Sequence, residues 1–314
     1  MTKNKYPTIK DLGGKIYDVR RFVYPHNKAW SATNPSIGYN PKTGYVLMLR
    51  SSNYVITDTG KYDVTIGDTI KCSIWFSELD ENWKCTDLRK VDVSECGVEV
   101  VRGLEDPKLF WRDNAWHFTC VVMEKHTPRA RMAIGRLDKT CSKVVSLEVF
   151  PGIDSARPEK NWMVPHKKNP NFDFIYGPNA TVKNGVLSTV LTDHPDISAL
   201  RGNTNLHELE DGTYIAVCHH MVGKADTVWV AQTFGTVNTY IRTYVHYFVK
   251  YDRRGKIIGI SKGFQFIDPG VEFAAGITTH GDNYMISFGY RDVSSHIAKI
   301  PIETVHKGIH PITY

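Results

Sequence analysis

Five short polar segments, each set immediately before an apolar run, are where this chain could do chemistry. They read Thr33-Asn34-Pro35-Ser36, Gly103-Leu104-Glu105-Asp106-Pro107-Lys108, Glu159-Lys160-Asn161-Trp162, Leu200-Arg201-Gly202-Asn203-Thr204 and Val271-Glu272-Phe273-Ala274-Ala275-Gly276. The groups on offer are carboxylates, amides and cations. A purely structural packing surface would be filled with small apolar side chains, so polar residues repeated at equivalent places argue for a built site. Other chemistries lack their signatures. The thirteen histidines form no HExxH and no convergent His/Asp spacing, so no metal is expected. No Walker-type loop, dinucleotide glycine motif or Gly-x-Ser-x-Gly elbow is present, and no cofactor is implied. The net charge of +6 suits an anionic ligand or polymer. A nucleic-acid partner is not expected, because basic and aromatic residues do not interleave.

The elements that must position these segments are strands. The 314 residues are 41% apolar and 23% charged, an ordinary globular composition that excludes disordered, collagen-like and coiled-coil readings. Apolar runs such as Tyr45-Val46-Leu47-Met48-Leu49, Trp116 to Val122 and Tyr284 to Phe288 are short, β-branched or aromatic, and bounded by turns. Turn clusters begin at Asn40, Arg112, Asn169, Glu210 and His280-Gly281, each between two short strands. A third strand candidate follows each pair: Ile70 to Phe76, Met132 to Leu137, Val186 to Leu191, Tyr244 to Tyr251 and Ser295 to Ile300. A two-sheet sandwich would not group its strands in repeated triplets. The pattern predicts an all-β chain, a five-bladed β-propeller forming one domain over residues 1–314, with about the first 28 residues completing the last blade. The first strand of each blade then lines the axis, and its start faces the ligand end.

Arg102-Gly103-Leu104-Glu105-Asp106-Pro107-Lys108-Leu109, followed by Trp116 to Cys120 and Ala130-Arg131-Met132-Ala133-Ile134, resembles the Glu-Asp-Pro-Arg block of the five-bladed glycosidases. The likeness is to the mannoside phosphorylases and mannosidases of glycoside hydrolase family 130. Asn34-Pro35-Ser36 with Arg50, Glu159 to Pro165, Arg201-Gly202, Glu272 to Gly276, and Ser287 to Asp292 supply the remaining blocks in the same order. The resemblance implies a carbohydrate-active enzyme that cleaves or phosphorolyses a glycosidic bond with inversion, a β-mannoside being the substrate it suggests. Asp106 matches the general acid, which a raised pKa beside Glu105 would keep protonated. Arg131 and Lys160 match the anion-binding side, with Arg50, Arg201, His219 and His220 as further cations. Asn34, Glu105, Lys108, Asn161, Trp162, Glu272, Tyr290 and Asp292 complete the implied substrate- or phosphate-binding set. Lys108 stands where the family has Arg. Trp162 has two readings, a sugar-stacking platform or a core residue.

The partners implied are an oligosaccharide or glycoconjugate together with inorganic phosphate or a sugar-phosphate donor, and a homo-oligomer is compatible with the resemblance. Two alternatives stay open: a glycosyltransferase using a phosphate-activated donor, and a non-catalytic glycan-binding propeller. The six cysteines show no CxxC and no metal-finger spacing, so reduced thiols in a cytoplasmic protein are expected. On that reading the sequon Asn179-Ala180-Thr181 is accidental. No signal-peptide h-region and no apolar stretch long enough for a membrane span is seen.

Overall fold

The structure is a computed structural model that describes residues 6–19, 30–56, 62–98, 100–124, 127–150, 153, 159–177, 180–189, 195–222, 230–232, 235–237 and 243–312. Strand accounts for 58% and helix for 4%, so among the described residues no helical layer covers the sheets. Five antiparallel sheets form the blades of a β-propeller. Blade I runs outward through Ser31–Asn40, Gly44–Ser52, Cys72–Glu78 and Arg89–Lys90. Blade II follows with Glu105–Arg112, Ala115–Glu124, Thr127–Leu137 and Val144–Val149. Blade III is formed by a bridge from Met163 to Ile175, then Phe174–Ile175, Ala180–Lys183 and Val186–Thr189. Blade IV sets Arg201–Gly202 and His207–Glu208 against Tyr214–Val222, then adds Thr243–Tyr251, Ile257–Ser261 and Ile309–Pro311. In blade V, Glu272–His280, Asn283–Tyr290 and Ser294–Pro301 are followed by Lys15–Val19, which pairs on the outer edge.

One difference from the sequence reading falls in blade III. The third strand there is Ala180–Lys183, and Val186 opens the fourth. The Asn169 turn instead joins the Met163 segment to Phe174–Ile175. It is anchored by Asn169 Nδ2, which donates to Tyr214 Oη at 2.9 Å and to the Arg253 carbonyl at 3.0 Å. Residues 190–191, the expected end of that blade, and Asn179 of the sequon lie outside the described residues.

Apolar packing closes the ring. Ile74, Phe76, Leu109, Trp116 and Phe118 fill the space between blades I and II. Phe110, Met132, Trp162 and Phe174 fill the next gap. Met163, Ile175, Leu206 and Tyr214 follow, then Val217, Phe248, Phe266 and Phe288, and finally Leu47, Leu49, Met285 and Ile297 return to blade I. Sheets packed face to face leave the inner strands covered on both sides, which is why Ser31–Asn40 is buried along nearly its whole length.

Among the described residues the inner strands of neighbouring blades share no ladder beyond one bridge, the Leu206 N–H donating to the Val164 carbonyl at 3.0 Å, so side chains tie them. The Ser36 hydroxyl donates to the Ala275 carbonyl at 3.1 Å and accepts the Leu109 N–H at 2.7 Å, joining blades V, I and II. Asn205 donates to the Lys108 carbonyl at 3.0 Å and accepts the Val164 N–H at 3.3 Å, joining blades IV, II and III. Lys108 belongs to this belt. Its ammonium, 2% exposed, donates to the Trp162 carbonyl at 3.0 Å. The ammonium named for the ligand-binding set thus serves as a tie between two blades. Burial pushes its pKa down to about 7 against the attraction of Asp106.

Two predictions follow from the ring. A Cβ on Gly289 would stand 2.2 Å from Asn34 Oδ1 and 2.6 Å from Asn34 N. Gly289→Ala is therefore expected to cost about 1–3 kcal/mol in urea unfolding, whereas Gly308→Ala, with open space around it, is near neutral. Equal costs for the two would contradict the close approach. Lys108 releases its proton near pH 7 in the fold and near its ordinary 10.5 when unfolded. Between those values the unfolded chain binds more protons, so this residue makes stability rise with pH, by up to about 1.4 kcal/mol per unit. Lys108→Met should flatten that rise in denaturation midpoints measured from pH 7 to 10. An unchanged slope would refute the buried, proton-shedding ammonium.

Candidate active site

The inner strands of blades I and II carry the same irregularity at the same place. The register slips between Thr33 and Ser36 in one and between Glu105 and Lys108 in the other. The residues inside these bulges are Asn34-Pro35 and Asp106-Pro107. Proline has no N–H to give a ladder, and a bulge removes the need for one. Asn34 and Asp106 take φ values of +46° and +48°, in the left-handed region that Asn and Asp tolerate better than other side-chain-bearing residues. Blade III repeats the feature at Asn161, φ +66°. Bulges re-aim side chains, and here they bring two together: Asn34 Nδ2 donates to Asp106 Oδ1 at 2.8 Å.

Arg50 completes the contact. It stands on the second strand of blade I, opposite Thr33 in register. Its Nη1 donates to Asp106 Oδ1 at 2.8 Å, its Nη2 to the Tyr54 hydroxyl, and its Nε to Cys72 Sγ at 3.4 Å. Tyr54 passes the chain on, donating to Asp292 Oδ2 at 3.2 Å. Thr33 Oγ1 lies 3.5 Å from Asp292 Oδ1, and Ser31 Oγ donates to the Asp292 carbonyl at 2.9 Å. Three blades therefore meet in one hydrogen-bonded network, Asp106–Arg50–Tyr54–Asp292. Arg50 is only 4% exposed, while the Asp106 side chain keeps 15% of its surface accessible.

The electrostatics separate the two carboxyls. Burial works to raise the Asp106 pKa, but the charges of Arg50 and Lys160 and the hydrogen bonds from Asn34 and Arg50 outweigh it, holding the group below its ordinary range. This reverses the raised pKa expected from Glu105. The nearest charge to Asp106 is the Arg50 guanidinium, and Glu105 is itself paired with Lys160 at 3.6 Å. Asp292 moves the other way. Burial raises it, the negative charge of Asp106 adds to the rise, and Arg50 with the hydrogen bonds from Tyr54 and Thr33 offsets only part. Burial disfavours a charged Arg50, yet Asp106 and its other partners push its pKa well above the ordinary value.

Around this network the remaining sequence candidates divide. Lys160 is exposed at 44%, beside Glu105. Asn161 is half-buried next to it, and Arg131 is half-buried on the third strand of blade II, where Ala130 accepts the Glu159 N–H at 2.9 Å. Arg201 is exposed at the start of blade IV, and His220 is half-buried. Four others are engaged within the fold. Trp162 is a core residue, stacked on Phe174 with ring centroids 4.1 Å apart and 2% exposed, so it offers a sugar no face. His219 is buried against Tyr244 with Nδ1 against the Asn203 side-chain oxygen. Desolvation holds it neutral, so it cannot serve as a cation. Glu272 is fully buried and accepts the N–H groups of Phe266 and Ile267 at 2.8 and 2.7 Å, clamping a loop. The Tyr290 hydroxyl is taken up by the Asp268 carboxylate at 2.9 and 3.0 Å. Sequence reasoning missed Tyr54. Arg50, Ser52 and Tyr54 alternate along an extended segment, and that period of two was the available signal.

All six cysteines are unpaired, and among the described residues no helix is long and apolar enough to cross a membrane. No protein-family model matches the sequence, and no curated protein matches it. Solved structures do. A β-1,2-mannobiose phosphorylase from Listeria innocua, solved with β-1,2-mannobiose, superposes with a TM-score of 0.61 at 14% identity, over 94% of this chain and 99% of that one. A mannose phosphorylase from Leishmania mexicana, solved with a phosphate ion, gives 0.54 at 14% identity over 96% and 93%. A GDP-Man-dependent mannosyltransferase from the same organism gives 0.56 at 14% identity over 91% and 89%. At these identities the likeness is one of fold: the chain has the five-bladed architecture of the mannoside phosphorylases and glycoside hydrolases it resembles in sequence pattern.

Proposed function

We propose that this protein is a carbohydrate-active enzyme acting at a glycosidic bond, with Asp106 as the group that moves the proton. The observation that carries the reading is the placement of Asp106. It is a partly accessible carboxylate on a left-handed bulge of an inner strand, held by Arg50 and Asn34 at 2.8 Å each. The propeller neighbours that bind mannobiose and phosphate support the substrate class. In the cleavage direction, Asp106 gives a proton to the departing glycosidic oxygen as the C–O bond breaks. A phosphate oxygen, or water that gives up a proton to solvent, bonds to the anomeric carbon from the opposite face. Phosphate brought in beside Lys160, Arg131 and Arg201 adds negative charge, which raises the Asp106 pKa and loads the acid. The products are an inverted sugar 1-phosphate, or the free sugar, and the released alcohol.

A second reading has its own support. The resting carboxylate is held ionised, the state a base requires. In transfer from a phosphate-activated donor, Asp106 would take the acceptor hydroxyl proton as that oxygen attacks the anomeric carbon and phosphate leaves. The mannosyltransferase among the structural neighbours has the same fold.

Incubation with β-mannosides, with and without inorganic phosphate, and with sugar nucleotides plus acceptors, distinguishes the reactions. Sugar 1-phosphate marks phosphorolysis, phosphate-independent release marks hydrolysis, and nucleotide release with a new glycoside marks transfer. In whichever reaction is found, Asp106→Asn should lower kcat about 100- to 10,000-fold with ligand binding kept. Unchanged turnover would end the assignment. Asn34→Ala removes one bond to the Asp106 carboxylate. The Asp106 limb of the kcat/KM pH profile, which reports the free enzyme, should then move to higher pH. A shift to lower pH would mean that Asn34 does not stabilise the charged form.

A further inference from the structure

At the end of the inner strands away from Asp106, the turns of blades I and II border a half-open cavity of about 320 Å³. From Asn34 to Asn40 the inner strand spans roughly 20 Å at about 3.3 Å per residue, so this cavity is separate from the network described above. Trp111 and Trp116 form part of its wall, with Phe76, Arg89, Glu78 and Lys139 among the other lining residues. The two indoles meet edge to face, with centroids 5.1 Å apart at 70°. Trp116 is buried and seated on Gly38, where an added Cβ would lie 2.7 Å from its ring, whereas Trp111 is half-buried. The Arg89 guanidinium lies over the Phe76 ring at 5.4 Å and is paired with Asp87 and, at 3.8 Å, with Glu78. Its Nε is shielded from solvent and has no hydrogen-bond partner among the described residues.

The lining carries Arg89 and Lys139 against Glu78, and Asp87, outside the lining, also pairs with Arg89, so little net charge is left to select an anion. Indole faces favour an apolar surface, while a carboxylate and a guanidinium side by side favour neighbouring hydroxyls. The volume stands at the lower end of the range for ligand sites, about 300–1,000 Å³, and fits a single ring better than a chain of them. We infer that this cavity is a second binding site, for one neutral pyranose unit, with Trp111 against the ring's apolar face and Glu78 and Arg89 holding adjacent hydroxyls. The ligand class follows from the lining and not from Asp106, so this site and the proposed activity stand or fall separately.

Indole N–H signals of the full chain, followed by NMR during titration with methyl α-D-mannopyranoside, methyl α-D-glucopyranoside and sodium sulfate, test the site. A saturable shift of the Trp111 and Trp116 signals with a neutral glycoside is expected, and it should persist in Asp106→Asn. Affinity should fall at least tenfold in Trp111→Ala, fall in Glu78→Gln, and return in Trp111→Phe, which also guards against a folding defect in the alanine variant. No shift of these two signals with either glycoside, a shift with sulfate alone, or glycoside binding indifferent to Trp111→Ala would each overturn the proposal.

Discussion

The site depends on one ion pair, Arg50 with Asp106, made across the boundary between two blades. A buried guanidinium without a partner is costly, and so is a buried carboxylate. Each is tolerable only where the other stands. Their 2.8 Å contact therefore constrains how blade I meets blade II where the two bulges lie. The bulges at Asn34 and Asp106 serve the same contact, because an unbroken ladder would send these side chains to the faces of the sheet. Gly289 serves it from blade V by leaving room for the Asn34 backbone.

Elsewhere the ring is held by apolar packing, with polar ties where inner strands approach without pairing. Ser36, Asn205 and Lys108 satisfy backbone groups that no ladder reaches. The axis is accordingly polar along much of its length without being a ligand channel throughout. Polarity near the axis has two sources, the carboxylate–guanidinium network at one end and strand bridging along the rest.

The two buried carboxyls illustrate how position sets chemistry. Asp106 and Asp292 belong to one network, yet their pKa values move apart, because the guanidinium lies directly on one and reaches the other through Tyr54. Pairs separated in this way are common where protons are exchanged, since one member gives up its proton more readily than the other. The exposed Lys160 beside Glu105 adds charge that solvent can screen.

The sequence by itself determined the local features: short alternating strands, the turns between them, their grouping into blades, and the Glu-Asp-Pro step at the head of blade II. These follow from side-chain period and turn chemistry, which act over a few residues. It also named Asn34 and Arg50, which Asp106 meets directly, and Asp292, which it reaches through Arg50 and Tyr54. Only the tertiary structure decided what each polar residue faces. Lys108 lies two positions from Asp106 and points to a backbone carbonyl in the next blade, while Arg50 lies 56 positions away and touches the carboxylate. The same uncertainty kept Trp162 open between platform and core, and it hid Tyr54 altogether. The direction of the Asp106 pKa was settled the same way. Proximity in sequence suggested Glu105 as the governing charge, and proximity in space made it Arg50, because a Coulomb interaction follows distance through the fold and takes no account of distance along the chain.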